Sequence, residues 1–167
     1  YFAHNSIEDV ELHLRMVHDL LARIQSAESV GALAPIIDWK DNQEQRLSVV
    51  NVVTWDRAGL FYKLAGALSV CGLNILSTKA ITRSDHIAID TFYVVGPKGG
   101  IVDNESIQER FEKHVRESLI DGRDLHELIE KESRKSSSEF FSTSPSQLPV
   151  RFEPVVNVYH ELSLKQT

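Results

Sequence analysis

Near the start of the chain, Val10, Leu14, Val17, Leu21 and Ile24 recur at helical spacing and fall on one stripe. Ser6 precedes the stripe and Asp9 follows three residues later, a shorter form of the capping box, so a helix is predicted over 7–25. The stripe has to be buried, either against the rest of the chain or against a module upstream. The stretch 31–42 has no clear period and reads as a connector.

From residue 46 the period changes. Leu47, Val49, Val50, Val52 and Val53 make 46–55 a strand. A helix is predicted over 59–70, with Leu60, Phe61, Leu64, Ala65 and Leu68 facing inward. A second strand covers 73–82, Arg83-Ser84-Asp85-His86 turns the chain, and a third strand covers 87–95. Gly96-Pro97-Lys98-Gly99-Gly100 ends it. Ile107, Phe111, Val115 and Leu119 mark a helix over 104–119, which Asp121-Gly122 breaks. A further short helix is predicted over 124–134, then a Ser-rich polar loop. A last strand starts at 150–152, with Pro149 and Pro154 placing it at a sheet edge.

After a leading helix the order is therefore β-α-β-β-α-β. This is an α+β arrangement, a ferredoxin-like sandwich with two helices on one face of a four-stranded antiparallel sheet and a helical extension at the N-terminus. Val49, Val53, Leu73, Ile75, Ile87, Ile89 and Tyr93 are too many apolar residues for one face. The second face is expected to be covered by a partner domain or a second copy. The predicted organisation is 1–42 as helix and connector from an upstream module, 43–160 as the sandwich with its Ser-rich loop near 135–147, and 161–167 as the start of a following element.

Composition narrows the function classes. The net charge is -6 and no Lys/Arg cluster is visible, which argues against a nucleic-acid surface. No window approaches the roughly 18 apolar residues of a membrane span. The single cysteine, Cys71, lies at an apolar helix position and reads as a buried thiol in a reducing cytosol. There is no signal peptide, and Tyr1 in place of Met is expected to be an internal position of a longer protein.

The chemistry concentrates at Thr54-Trp55-Asp56-Arg57-Ala58-Gly59-Leu60, where a strand passes through a polar turn into a helix. Unpaired N–H groups and the helix dipole favour a carboxylate there, so a small anionic or zwitterionic ligand is the natural guest. Gly59 either lets a ligand approach the backbone or serves turn geometry; Asp56 either accepts an ammonium group or caps the helix. Asn74, in Gly72-Leu73-Asn74-Ile75, either reads an amide with its own amide or is a turn asparagine. Asp90, mid-strand, is expected to face solvent or to bond to the hairpin, and no catalytic partner accompanies it. His18-Asp19, with His4 and His13 nearby, forms no complete metal set, and no metal or cofactor is expected. No phosphate loop, zinc spacing or nucleophile motif is present, and no catalysis is expected.

The stretch from Val49 to Val95, with Asp56-Arg57-Ala58-Gly59-Leu60 at its first turn, resembles an ACT domain, the ligand-binding regulatory module of amino-acid metabolism. That family often carries Asp-Arg-Pro-Gly-Leu there; Ala58 replaces the proline, leaving the loop less pre-set. Gly59-Leu60-Phe61, Ala65-Gly66-Ala67-Leu68, Gly72-Leu73-Asn74-Ile75, Thr82-Arg83-Ser84-Asp85 and Ala88-Ile89-Asp90-Thr91-Phe92 narrow the match. Together they look like the first of two C-terminal ACT domains in the bifunctional uridylyltransferase/uridylyl-removing enzymes that modify the signalling protein PII. The resemblance implies an amino-acid ligand, glutamine above all, bound at Asp56, Arg57, Ala58, Gly59, Leu60, Asn74 and Ile75. It also implies a second ACT domain or a homodimer as partner, PII as a partner through the parent enzyme, and no catalysis within this chain. The competing reading is an interaction module that pairs sheets and binds no ligand.

Overall fold

A computed structural model describes residues 5–26, 34–132 and 155–158. Expectations about Tyr1, His4, the Ser-rich stretch 135–147, the strand start at 150–152 and the element 161–167 lie outside the described residues.

Helix α1 (Ile7–Ser26) begins as predicted: Asp9 N–H donates to Ser6 Oγ (3.1 Å) and Ser6 N–H to Asp9 Oδ2 (3.4 Å). There follow strands β1 (Ile36–Asn42) and β2 (Leu47–Trp55), helix α2 (Leu60–Val70), strands β3 (Asn74–Thr82) and β4 (Ile87–Val95), helix α3 (Glu105–Leu119), a helical segment at 126–132 and strand β5 (Val155–Val158). The strands form one sheet in the order β1-β2-β4-β3-β5. The first four are antiparallel to their neighbours, and β5 adds parallel to β3. The α+β fold is thus as expected and compatible with a ferredoxin-like sandwich.

One strand was not legible. Ile36–Asn42 was expected to be connector, yet it pairs along its length with β2, from Ile36 opposite Val53 to Asn42 opposite Leu47. The four antiparallel strands are completed from before the β-α-β-β unit rather than from after it. The reason β1 hides is that it is short, half-exposed and at the sheet edge, with its few apolar residues divided between two layers. Ile36 packs toward α1 while Ile37 and Trp39 pack toward α2 and α3, so the apolar/polar alternation is confined to residues 37–40 and is too short to mark a strand. Trp39 meets Phe111 of α3 edge to face, with ring centroids 5.6 Å apart.

The core lies in two layers. On one face Val50, Val52, Phe92 and Val94 pack under Leu64 and Leu68 of α2 and Phe111 and Val115 of α3. On the other, Val53, Ile87 and Ile89 pack against Met16, Val17 and Leu20 of α1. The cover expected from a partner or a second copy is supplied, over this part of the sheet, by the chain's own first helix.

The face that α1 buries is rotated from the predicted stripe. Val17 is inside, but Leu14 and Leu21 are 56% and 41% exposed. The rotation follows from His13, a polar residue drawn into the sheet. Asn51 Oδ1 on β2 accepts from His13 Nε2 (3.0 Å) and from Thr91 Oγ1 (2.9 Å) on β4, and all three residues are buried. A count of apolar positions cannot see a helix face centred on a histidine.

Replacing Asn51 with Ala leaves two buried groups without their shared acceptor. Asn51→Ala is expected to lower stability by about 1–3 kcal/mol in urea unfolding; a loss below about 0.5 kcal/mol would show that the trio does not hold α1 on the sheet.

Candidate functional site

The turn between β2 and α2 is built by the backbone. Asp56 N–H donates to His86 O (2.7 Å), carrying the β2–β4 ladder one residue past Trp55. Leu60 N–H then donates to Arg57 O (3.1 Å), closing a turn with Gly59 at φ 74°, in the left-handed region. A Cβ at Gly59 would meet nothing within 4 Å, so conformation rather than crowding calls for glycine, and the space above it is open.

No side chain caps the first turn of α2. The reading of Asp56 as a helix cap is therefore not realised. The half-buried Asp56 carboxylate is left beside a helix N-terminus whose first donor, Leu60 N–H, is taken by Arg57 O, while no side chain caps the N–H groups that follow.

Arg57 points elsewhere. Its Nη1 donates to Leu119 O (2.8 Å) at the end of α3 and its Nε to Trp55 O (3.4 Å), while burial lowers its pKa. Lys63 Nζ donates to Ser118 O (2.9 Å) on the same helix end. Two cations thus complement the negative end of the α3 dipole and tie the turn and α2 to α3. A depression of about 140 Å³ beside Tyr62 and Lys63 is bounded by Arg123, but Arg123 Nη1 is engaged by Glu117 (2.7 Å), so both its cations already serve the fold.

Asp90 is a residue whose part the sequence did not disclose. It was expected to face solvent or to bond to the hairpin, and it does neither. It is 4% exposed, on the central strand β4, and accepts no hydrogen bond among the described residues. Burial, and secondarily the Asp56 carboxylate, push its carboxyl group up to about 7. Asp90 shares the helix-covered face of β4 with Phe92, and Phe61 in the first turn of α2 stacks on Phe92 at 5.7 Å. The open end of α2 therefore lies over this stretch of strand. The signal available in the sequence was a carboxylate inside the apolar run Ile87 to Val95.

The remaining candidates do not join this cluster. The register sets Thr82 near Ala88 and Thr54, at the turn end of the sheet, and Asn74 opposite Val95, at the far end. Asn74 is exposed and roughly 25 Å of strand away from the turn. Ile75 packs against the core under α2 and α3. Asp56 to Leu60 lie together in one turn, and Asn74 lies at the opposite end of the sheet.

His18 and Asp19 touch at 3.5 Å on the exposed side of α1, while His13 is turned into the sheet. Among the described residues no three His, Cys, Asp or Glu side chains converge on a metal-sized position. Cys71 is buried, and burial raises its thiol to about 11, far from a nucleophile's range. No helix among the described residues is long and apolar enough to cross a membrane.

The Asp90 carboxyl binds its proton more tightly folded than unfolded, where 3.8 is its ordinary value. Its contribution to stability is therefore lost as pH rises from about 4 to about 7. Asp90→Asn removes that slope. The variant is expected to be more stable than the parent by roughly 1–4 kcal/mol at pH 8 and nearly equal to it at pH 4, read from thermal melts. Equal pH dependence in the two proteins would refute the assignment.

Comparison with known proteins gives relatives over most of the chain. It is 34% identical over 124 residues to the bifunctional uridylyltransferase/uridylyl-removing enzyme of Rhodospirillum rubrum, covering 74% of this chain and 13% of the relative. To the enzyme of the same name from Gluconobacter oxydans it is 35% identical over 127 residues, 75% of this chain and 12% of the relative. To that of Erythrobacter litoralis it is 26% identical over 108 residues. No protein-family model matches the chain, and no solved structure matches it significantly. The chain spans about an eighth of the length of these relatives, and over that span it is homologous to bifunctional uridylyltransferase/uridylyl-removing enzymes.

Proposed function

We propose that this chain is a regulatory, amino-acid-binding module of an enzyme that adds UMP to and removes it from PII, with glutamine as the ligand and no catalysis of its own. The observation that carries the reading is the uncapped N-terminus of α2 behind Gly59, with a half-buried carboxylate, Asp56, beside it. A zwitterion needs both elements at once: donors for its carboxylate and an acceptor for its ammonium group. Homology to an enzyme with two opposed activities supports a regulatory role, because such an enzyme needs a signal that favours one activity over the other. In this reading the ligand carboxylate sits near Gly59 and Leu60 on the N–H groups that follow Leu60, whose own N–H is held by Arg57 O, and the module works in the cytoplasm as part of a longer chain.

A second reading has one specific observation in its favour. Asn74 lies at the far end of β3 from the turn, so it reaches a ligand on Asp56 to Leu60 only from a second copy or a following domain. The same two ends could instead meet without any ligand, as an interaction module.

Calorimetric titration with L-glutamine, against glutamate, serine and branched amino acids, separates the readings. Selective heat for glutamine is expected, with the stoichiometry reporting whether one chain or two complete the site. Gly59→Val forces a β-branched residue into the left-handed region at a cost of about 1–2 kcal/mol and closes the approach. It is expected to stay folded and lose at least about tenfold in affinity, measured in the same titration. An unchanged affinity would remove the ligand from this turn.

A further inference from the structure

We propose that Asp90 and Asp56 form an ammonium subsite beneath the open end of α2, so that the ligand is held as a zwitterion between two backbone-defined layers. Its carboxylate lies on the first turn of the helix, and its ammonium group on the strand below. The inference rests on the amino-acid reading above and names the side chain that would enforce it.

Elsewhere the interior pairs its polar groups. Ser48, fully buried, donates to Asp41 Oδ1 (2.7 Å) and accepts from Val102 N–H (2.9 Å). Asn51 and Thr91 bond to each other and to His13. These groups recover in the fold the hydrogen bonds they lose from water. Asp90, equally buried and able to carry a full charge, has none among the described residues. Its cross-strand neighbours are Val52 on β2 and Ala80 on β3, neither of which can pair with it. Arg57, the cation of the nearby turn, gives its Nη1 to Leu119 O at the end of α3 and its Nε to Trp55 O, and its buried Nη2, though unpartnered, makes no bond to Asp90. The charge that does reach Asp90 is Asp56, which has the wrong sign. An apolar or amide side chain here would give a more stable sheet, and a carboxylate kept at such a cost points to a guest that compensates it.

A separate observation marks the same place. Thr78 is 2% exposed, and its Oγ1 has no hydrogen-bond partner. It lies opposite Phe92 on the helix-covered face, making it the diagonal neighbour of Asp90. Diagonal neighbours on one sheet face stand roughly 7–8 Å apart, close enough for one small group to touch both. An ammonium group has three hydrogens to donate. The Asp90 carboxylate, the Thr78 hydroxyl and the Asp56 carboxylate are three acceptors for it, of which Thr78 Oγ1 is fully shut off from water without a partner. Phe61 lies on Phe92 while still 38% exposed, so its ring is the cover that a ligand would displace to enter. The raised carboxyl of Asp90 agrees with this. Near neutral pH it is part-protonated, and an arriving cation would favour the carboxylate and release the proton.

The test titrates the full chain and Asp90→Asn with two probes, L-glutamine and glutaramate, the same molecule with hydrogen in place of the α-amino group. The parent protein is expected to favour glutamine by at least about tenfold, and Asp90→Asn to lose that factor for glutamine alone, bringing the two affinities together. Asp56→Asn, at a half-buried turn position, is expected to lower the same ratio by a smaller factor and serves if Asp90→Asn does not fold. Selectivity unchanged in both variants would overturn the subsite and leave the amino-acid reading standing. Equal loss for both probes would show that Asp90 acts only through the fold, which also overturns it. Silence of the parent protein toward both probes would overturn the subsite and the amino-acid reading together.

Discussion

Strands β2 and β4 lie inside the sheet, with α2 and α3 over one face and α1 over the other, so all their residues but Val49, Trp55, Tyr93 and Val95 are buried. Burial of this kind supplies most of the drive to fold, at about 25 cal/mol for each Å² of apolar surface removed from water. It also imposes a rule: any polar group on these strands either finds a partner within the protein or destabilises it. Asn51 and Thr91 obey through His13, and that solution sets the rotation of α1. Asp90 does not obey, and the exception falls under the open end of a helix.

The helix ends around this point are treated unequally. α3 starts with Asn104 accepting from Ser106 N–H (3.0 Å) and finishes with carbonyls that receive Arg57 and Lys63. α2 starts with a glycine and no side-chain cap. Because Arg57 belongs to the turn that opens α2, the uncapped end of one helix is bonded directly to the satisfied end of another. A ligand that moves the turn would pull on α3, and a packed interior transmits such shifts rather than absorbing them.

The site also shows how a sheet distributes function. The turn after β2 and the start of β3 are close in sequence, separated only by α2, yet the antiparallel register sends them to opposite ends of the molecule. Residues there meet only across an interface. The two edges of the sheet are β1, bearing Asp38, Lys40 and Asp41, and β5, paired parallel with β3. Charged edge residues discourage indiscriminate pairing.

Local and periodic features were settled by the amino-acid sequence itself. The Ser6–Asp9 box, the β-branched and apolar runs of β2 to β4, the Arg83–His86 turn, the four-residue spacing of Phe111, Val115 and Leu119 and the left-handed glycine after Asp56 all act within a few residues, so their physics is written in the order of the chain. The tertiary structure decided whatever depends on which faces are covered. It made 36–42 a strand, because Ile36 and Ile37 find opposite layers only when α1 and α3 are both in place. It turned Leu14 and Leu21 outward, because His13 had a partner 38 residues away. It buried Asp90 without a bond and sent Arg57 to a helix end 62 residues on. Burial and pairing between distant segments have no local signature; they exist only once the layers have packed.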